Sequence, residues 1–333
     1  MIARSGLLMR AMGTAVAGAA LAAAAWAAPP SDARGSFDRT LKVSEPASVD
    51  VRTGSGNITV RRGDSTRVVI HAEIRSGHGD WGGDSDAERR IHEIEQNPPI
   101  EQNGNSIHIG QTHDSDLYHN ISISYEIQVP AQTRLDGQTG SGNFTASGVQ
   151  LEINGRTGSG NVRVEDAASR VELSAGSGEV ELHNGRGGGF LNSGSGNIIA
   201  DGVSGSLRAR SGSGNVRVEM TGAGEVDASS GSGNVRLRGV NGALRGSTGS
   251  GDVEASGDPH GDWNLRTGSG NVTVEVPKST GFELDAHSGS GTIQTDREIT
   301  VSGTLSRHEI RGRAGAGGPV LTLRTSSGSI YVR

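Results

Sequence analysis

The sequence predicts an all-β protein: a parallel β-solenoid (β-helix) with coils of about 18 residues, two strands to a coil, and a small α+β insertion. Three observations predict it. Glycine supplies 54 of 333 residues while aromatic residues supply 3%. That is too little large apolar volume for ordinary two-domain packing, and the glycines lack collagen's three-residue period. The triplet Gly-Ser-Gly begins at Gly54, Gly140, Gly158, Gly176, Gly194, Gly212, Gly231, Gly249, Gly268 and Gly289. From Gly140 to Gly268 it recurs every 18 or 19 residues, which means one structural unit per repeat, each stacked on the next. Beside each triplet, apolar residues alternate with polar ones, as in Val162/Val164, Val216/Val218 and Val272/Val274 after it and Val171/Leu173 and Val226/Ala228 before it. Period-two alternation is the mark of a strand buried on one face.

Read from the N-terminus, residues 1–27 fit a secretory signal peptide. Arg4 and Arg10 open it, Ala11 to Trp26 is a small-residue apolar run, and Ala25-Trp26-Ala27 matches an A-x-A cleavage site. The run is too short and alanine-rich for a membrane anchor, and no second apolar stretch of about 18 residues follows. The chain is therefore expected to be exported, to the periplasm or to the cell surface and medium. Without Arg4 and Arg10, 29 basic residues face 37 acidic ones, a net charge of about −8, which disfavours nucleic acid and anionic membranes as partners. With no cysteine, a disulfide framework, thiolate metal sites, a cysteine nucleophile and a lipidated N-terminal cysteine are all excluded.

Residues 28–63 hold the N-terminal strands and a first coil. Residues 64–130 form the α+β insertion, since the 86-residue spacing from Gly54 to Gly140 is too long for one coil. Within it Val68 to Ile74 reads as a strand. Asp84 to Gln96 reads as one short helix, with an acidic start, Ile91 and Ile94 at helical spacing, and Pro98-Pro99 beyond it. Asn103-Gly104 between alternating runs signals a hairpin, and Asn120 to Pro130 reads as another strand. Residues 131–333 are the solenoid, with an irregular, glycine-rich patch at Glu298 to Pro319. A weakened triplet, Ser326-Ser327-Gly328, is expected to form the final coil.

The triplet is expected to be a structural corner, its glycines supplying positive φ at no steric cost. The middle serines Ser141, Ser159, Ser195, Ser213, Ser232 and Ser269 can stack from coil to coil. So can the residues that follow, Asn143, Asn161, Asn197, Asn215, Asn234 and Asn271, in the manner of the ladders that form wherever identical segments stack in register. Glu179, Asp252 and Thr292 break the asparagine pattern. A hydroxyl residue before the triplet (Thr157, Ser193, Ser211, Ser230, Thr248, Thr267) offers a third ladder. Gly155, Gly189 and Gly246 fall at inward positions and mark a thin core.

These features together resemble the bacterial "putative adhesin" domain family, a GSGN-repeat domain of unknown function in envelope-associated proteins. The likeness rests on "VDVRTGSGNITVRRGD", "YEIQVPAQTRLDGQTGSGNFTASGV", the serial "GSGNV" coils and the terminal "GGPVLTLRTSSGSIYVR", and runs from about Ser36 to Arg333. It implies a β-solenoid and an exported location, and brings no catalytic residues with it.

The triplets are not phosphate loops, because a β-branched strand rather than a helix follows each one. They are not a calcium array either, because Asn-Val stands where nonapeptide calcium repeats need Asp. A metal would have to come from the insertion: His71, His78 and Asp80 in one segment, His108, His113 and His119 in another, if the two meet. Trp81 between glycines suits stacking on a sugar ring. Outward positions mix signs (Arg163/Glu165, Glu181/His183, Arg217/Glu219), which cross-strand pairing explains. No catalytic set converges, and no cofactor is expected. The favoured function is a non-catalytic interaction or structural module of the bacterial envelope, with an envelope polysaccharide or protein as partner. The alternatives are a carbohydrate-active β-helix enzyme working through paired carboxylates and a metal-binding module using the His-rich insertion.

Overall fold

The computed structural model describes residues 33–77, 84–110, 116–302 and 306–333, and in it the repeat forms a parallel β-solenoid. In each coil the strand before the triplet joins one sheet and the strand after it joins the other. Ile153–Thr157 and Val162–Glu165 flank the Gly158 triplet in this way. Each strand pairs parallel and in register with its equivalent in the next coil, so Val162 faces Val180 and Ile153 faces Val171. Among the described residues the pre-corner sheet has 15 strands and the post-corner sheet 14. Coils are named below by the first residue of their triplet.

The inward face follows from the alternation. Val162, Val164, Val180, Leu182, Val216, Val218, Val235 and Leu237 are essentially inaccessible. Volume is matched across the thin core. Phe144 points from one sheet between Gly137 and Gly155 of the other, and a Cβ on Gly155 would come within 2.5 Å of the ring carbon Cε1. Trp263, also buried, sends its indole N–H to the Gly242 carbonyl at 2.9 Å, which satisfies the one polar group of that side chain.

The corner glycines are needed for a different reason from the one expected. None of the triplet glycines has positive φ. From Gly142 to Gly270 the third glycine of each triplet lies directly against the carbonyl of the third glycine one coil earlier: a Cβ on Gly160 would overlap the Gly142 oxygen, and one on Gly214 the Gly196 oxygen. The requirement is close approach between backbones. Positive φ belongs to the opposite turn, at Gly148, Asp166, Asn184, Gly202 and Gly239. Asp and Asn tolerate that conformation best among residues with a side chain, and Asn184 donates its amide to Asp166 at 3.0 Å.

Coil order in space departs from coil order in sequence at both ends. The Ser326 coil is not the outermost. Its strands Val320–Thr325 and Ile330–Val332 lie between those of the Gly268 coil and those of the Gly289 coil. The N-terminal end is built alike. Ala47–Thr53 lies between Ser106–Gly110 and Thr133–Thr139, and Ile58–Arg62 between Ile121–Val129 and Phe144–Ser147. At each end, therefore, the coil nearest the chain terminus is inserted one place inward.

The insertion caps the N-terminal end. Arg34–Lys42 and Arg67–Ser76 extend the post-corner sheet antiparallel. Helix α1 (Asp84–Gln96) rests on them with Ile91 and Ile94 buried, close enough for Glu95 to accept the Ser36 amide at 2.8 Å. Ile100–Asn103 and Ser106–Gly110 form the hairpin at Gly104 and extend the other sheet. At the far end Ile299–Val301 and Glu309–Ala314 add two antiparallel strands. Among the described residues no helix is long and apolar enough to cross a membrane. The signal-peptide reading of residues 1–27 lies outside the described residues.

Candidate functional site

Two kinds of surface are built by the stacking: the corner, where polar side chains run along the axis, and the flat outward faces.

At the corner, the residue before the triplet works in both directions. Thr157 donates its hydroxyl to the Gly142 carbonyl of the previous coil at 2.8 Å and accepts the amide of Gly160 in its own turn at 3.1 Å. Ser193, Ser211, Ser230 and Thr248 repeat the pair of bonds. A second ladder uses the residue after the triplet, whose side-chain oxygen accepts the backbone N–H of the same position in the next coil. Asn57 receives Asn143, Asn143 receives Asn161, Asn161 receives Glu179, Asn197 receives Asn215, Asn215 receives Asn234, Asn234 receives Asp252, Asp252 receives Asn271 and Asn271 receives Ser329, all between 2.7 and 3.0 Å. The middle serines Ser141, Ser159, Ser195, Ser213, Ser232 and Ser269 are exposed, and Ser141, Ser159 and Ser269 bond to the previous coil through backbone N–H. Between two glycines packed on backbone, the middle side chain can only turn outward, so the hydroxyl ladder runs two residues earlier.

Both ladders break in one coil. In the Gly176 coil the hydroxyl position is Ala175 and the asparagine position is Glu179. Among the described residues, no hydrogen bond runs from the Gly178 amide to residue 175, nor from the Asn197 amide to Glu179.

The post-corner sheet presents a charge lattice. Arg163 bridges Glu165 and, one coil on, Glu181, and these carboxylates, Glu165 first, hold its guanidinium above its ordinary pKa. Arg236 grips Glu254 at 2.6 and 3.0 Å, and the Glu254 carboxyl lies below the usual range because of that bond. His183 lies against Glu181 at 3.1 Å with Asp201 at 3.9 Å on its other side. Such exposed pairs contribute little stability each, about 0–1 kcal/mol. Their regularity fixes which groups the surface offers.

The pre-corner sheet carries a shallow open groove of about 900 Å³ that crosses the Gly176 to Ser326 coils, about 29 Å at the strand pitch. Arg170, Glu172, Phe190, Arg208, Asp227 and Arg245 are among its lining residues. Arg208 bonds Asp227 across coils at 3.1 Å. Phe190 stands half-buried on the outer face, and on the other sheet of the same coil Ile199 does likewise. Neither was singled out from the sequence, although both are apolar residues at polar positions of the alternation.

The histidine candidates separate. His71 lies on the outer face of the post-corner sheet, 2.8 Å from Asp38. His108 lies on the outer face of the opposite sheet, 3.5 Å from Asp50. His119 offers its carbonyl to the buried Arg90. His78, Asp80, Trp81 and His113 lie outside the described residues. Among the described residues no group of three His, Asp or Glu side chains is placed to hold a metal ion.

No curated protein sequence matches this chain. Among solved structures it is similar to a "putative lipid binding protein" of Parabacteroides distasonis ATCC 8503, with 15% identity, a TM-score of 0.41, and coverage of 90% of this chain and 96% of that one. A "putative adhesin" of Bacteroides fragilis NCTC 9343 aligns with 12% identity and a TM-score of 0.33 over 90% and 97%. A "putative cell adhesion protein" of Clostridium sporogenes ATCC 15579 aligns with 13% identity and a TM-score of 0.21 over 90% and 99%. The family model described as Toastrack DUF4097 matches residues 84–256 and 190–333, together most of the chain. The chain belongs to the Toastrack DUF4097 family.

Proposed function

We propose that this protein is an exported, non-catalytic interaction module of the bacterial envelope, and that its partner, an envelope polysaccharide or protein, lies along the groove of the pre-corner sheet. One observation carries the reading. The groove is long, shallow and open, and it is lined by alternating guanidinium and carboxylate groups around a single half-buried aromatic, Phe190. Such a surface offers donors, acceptors and one apolar contact at a fixed pitch of about 4.8 Å to an extended polymer. The organisation proposed with it is a signal peptide over 1–27, N-terminal strands and first coil over 28–63, the insertion over 64–130 and the repeat over 131–333.

The test is retention of purified residues 28–333 on separated envelope polysaccharide and protein fractions, beside a Phe190→Ala/Arg208→Glu variant. Saturable retention by one fraction, weakened at least about tenfold in the variant, is expected; tenfold corresponds to about 1.4 kcal/mol, the scale of one well-packed contact. An Arg163→Ala control on the opposite sheet should bind as the parent does. Retention indifferent to the groove variant, or no retention by any fraction, would reject the groove as the binding surface.

A further inference from the structure

The inserted C-terminal coil points to a strand-accepting slot. The Gly268 and Gly289 coils are consecutive in sequence, yet neither sheet pairs them directly; residues 320–333 occupy the space between. Bonds to both neighbours hold them there. The Val272 amide donates to the Ser329 carbonyl, that of Val276 to Arg333, that of Ile330 to Thr292 and that of Asp296 to Val332. The corner ladders continue through the inserted coil: Thr325 donates to the Gly270 carbonyl, Ser288 of the outer coil donates to the Gly328 carbonyl, and Asn271 accepts the Ser329 amide. Arg324 binds the outer coil's Asp285. Removing this one segment leaves a free edge on both neighbouring coils in both sheets, shaped for two short parallel strands and a corner.

The segment is well placed to leave and to be replaced in kind. Its link to the preceding strand, Glu309–Ala314, is residues 315–319, in which Gly315, Gly317 and Gly318 all have positive φ (59°, 80° and 152°) ahead of Pro319, a glycine-rich hinge. A second copy's segment 320–333 would make every one of the same bonds.

We propose that this slot is an interaction site for a second copy of the chain, filled in trans by the partner's C-terminal coil. Exchange of an identical element preserves the contacts and changes only the hinge, so occupancy in cis or in trans is set by protein concentration and hinge geometry.

The absence of native cysteine makes the test clean. Asn264 and Thr322 are register partners on adjacent strands, at a separation suited to a disulfide. The double variant Asn264→Cys/Thr322→Cys should lock within one chain under mild oxidation, which verifies the placement. Chains carrying Asn264→Cys alone and Thr322→Cys alone are then mixed, equilibrated and oxidised. A covalent heterodimer joined through these two cysteines is expected, its yield rising with total protein concentration. Asn264→Cys mixed with Thr145→Cys, on the opposite sheet, gives the collisional background. Heterodimer no more abundant than that background, while the double variant locks internally, overturns the proposal. A double variant that fails to lock overturns it as well, because the strand is then not in the slot.

Discussion

The Gly176 and Gly212 corners follow the same backbone path with different side chains. At Gly212 the hydroxyl of Ser211 ties two coils together and Asn215 passes a hydrogen bond on to Asn234. At Gly176 the same places are Ala175 and Glu179, and both ladders stop. The turn nevertheless forms, and a Cβ on Gly178 would overlap the Gly160 carbonyl just as one on Gly214 would overlap the Gly196 carbonyl. The glycines make the corner by letting backbones touch, and the polar ladders strengthen a corner already made.

That difference ranks the expected effects. Gly214→Val drives a side chain into backbone that cannot yield, so a loss of about 4 kcal/mol or more is expected, measured as a collapse of the thermal or urea midpoint. Gly178→Val should be as damaging although Ala175 and Glu179 contribute no side-chain ladder bonds at its corner; a mild effect there would break the comparison. Ser211→Ala removes a buried donor and strands the Gly196 carbonyl and Gly214 amide, which is expected to lower stability by about 1–2 kcal/mol. Ala175→Thr with Glu179→Asn should restore both ladders and raise stability by up to about 1 kcal/mol; no gain would mean the ladders contribute less than their geometry suggests.

The smallest effect is on pH dependence. The Arg324 guanidinium beside Asp285 holds that carboxyl below the usual carboxylate range, with Arg311 adding to it. A depressed folded-state pKa contributes stability fully present above the unfolded value, about 3.9, and lost as pH falls through the lower folded value. Because this pair joins the inserted coil to the outer one, acid below about pH 4 should loosen the C-terminal end first. Asp285→Asn should weaken that acid dependence, read as a flatter midpoint against pH.

The solenoid was legible because alternation, spacing and glycine content all act locally and point the same way. The helix over Asp84–Gln96 and the Asn103-Gly104 hairpin were legible for the same reason. The triplet was visible as a corner, but φ was the wrong cause, since the close approach involves glycines 18 residues apart and appears only once coils stack. Coil order was not legible. Residues 276–281 between the Gly268 and Gly289 coils are about as long as the ordinary turn 166–170, and nothing local says that this link spans two coils; the pairing depends on a segment that begins only at Val320. Phe190 and Ile199 were not legible because alternation marks which residues a strand buries and does not say what an apolar residue on its outward face is for. The histidines looked close in sequence, but a solenoid sends neighbouring strands to opposite sheets.

Amide hydrogen exchange at four corner residues tests the account most directly. Gly214 and Asn215 donate to Ser211 and Asn197, whereas Gly178 and Asn197 face the alanine and glutamate of the interrupted coil. Slow exchange at Gly214 and Asn215 with markedly faster exchange at Gly178 and Asn197 is the predicted result. Equal protection at all four would contradict the claim that side-chain ladders strengthen the corners that backbone contact makes.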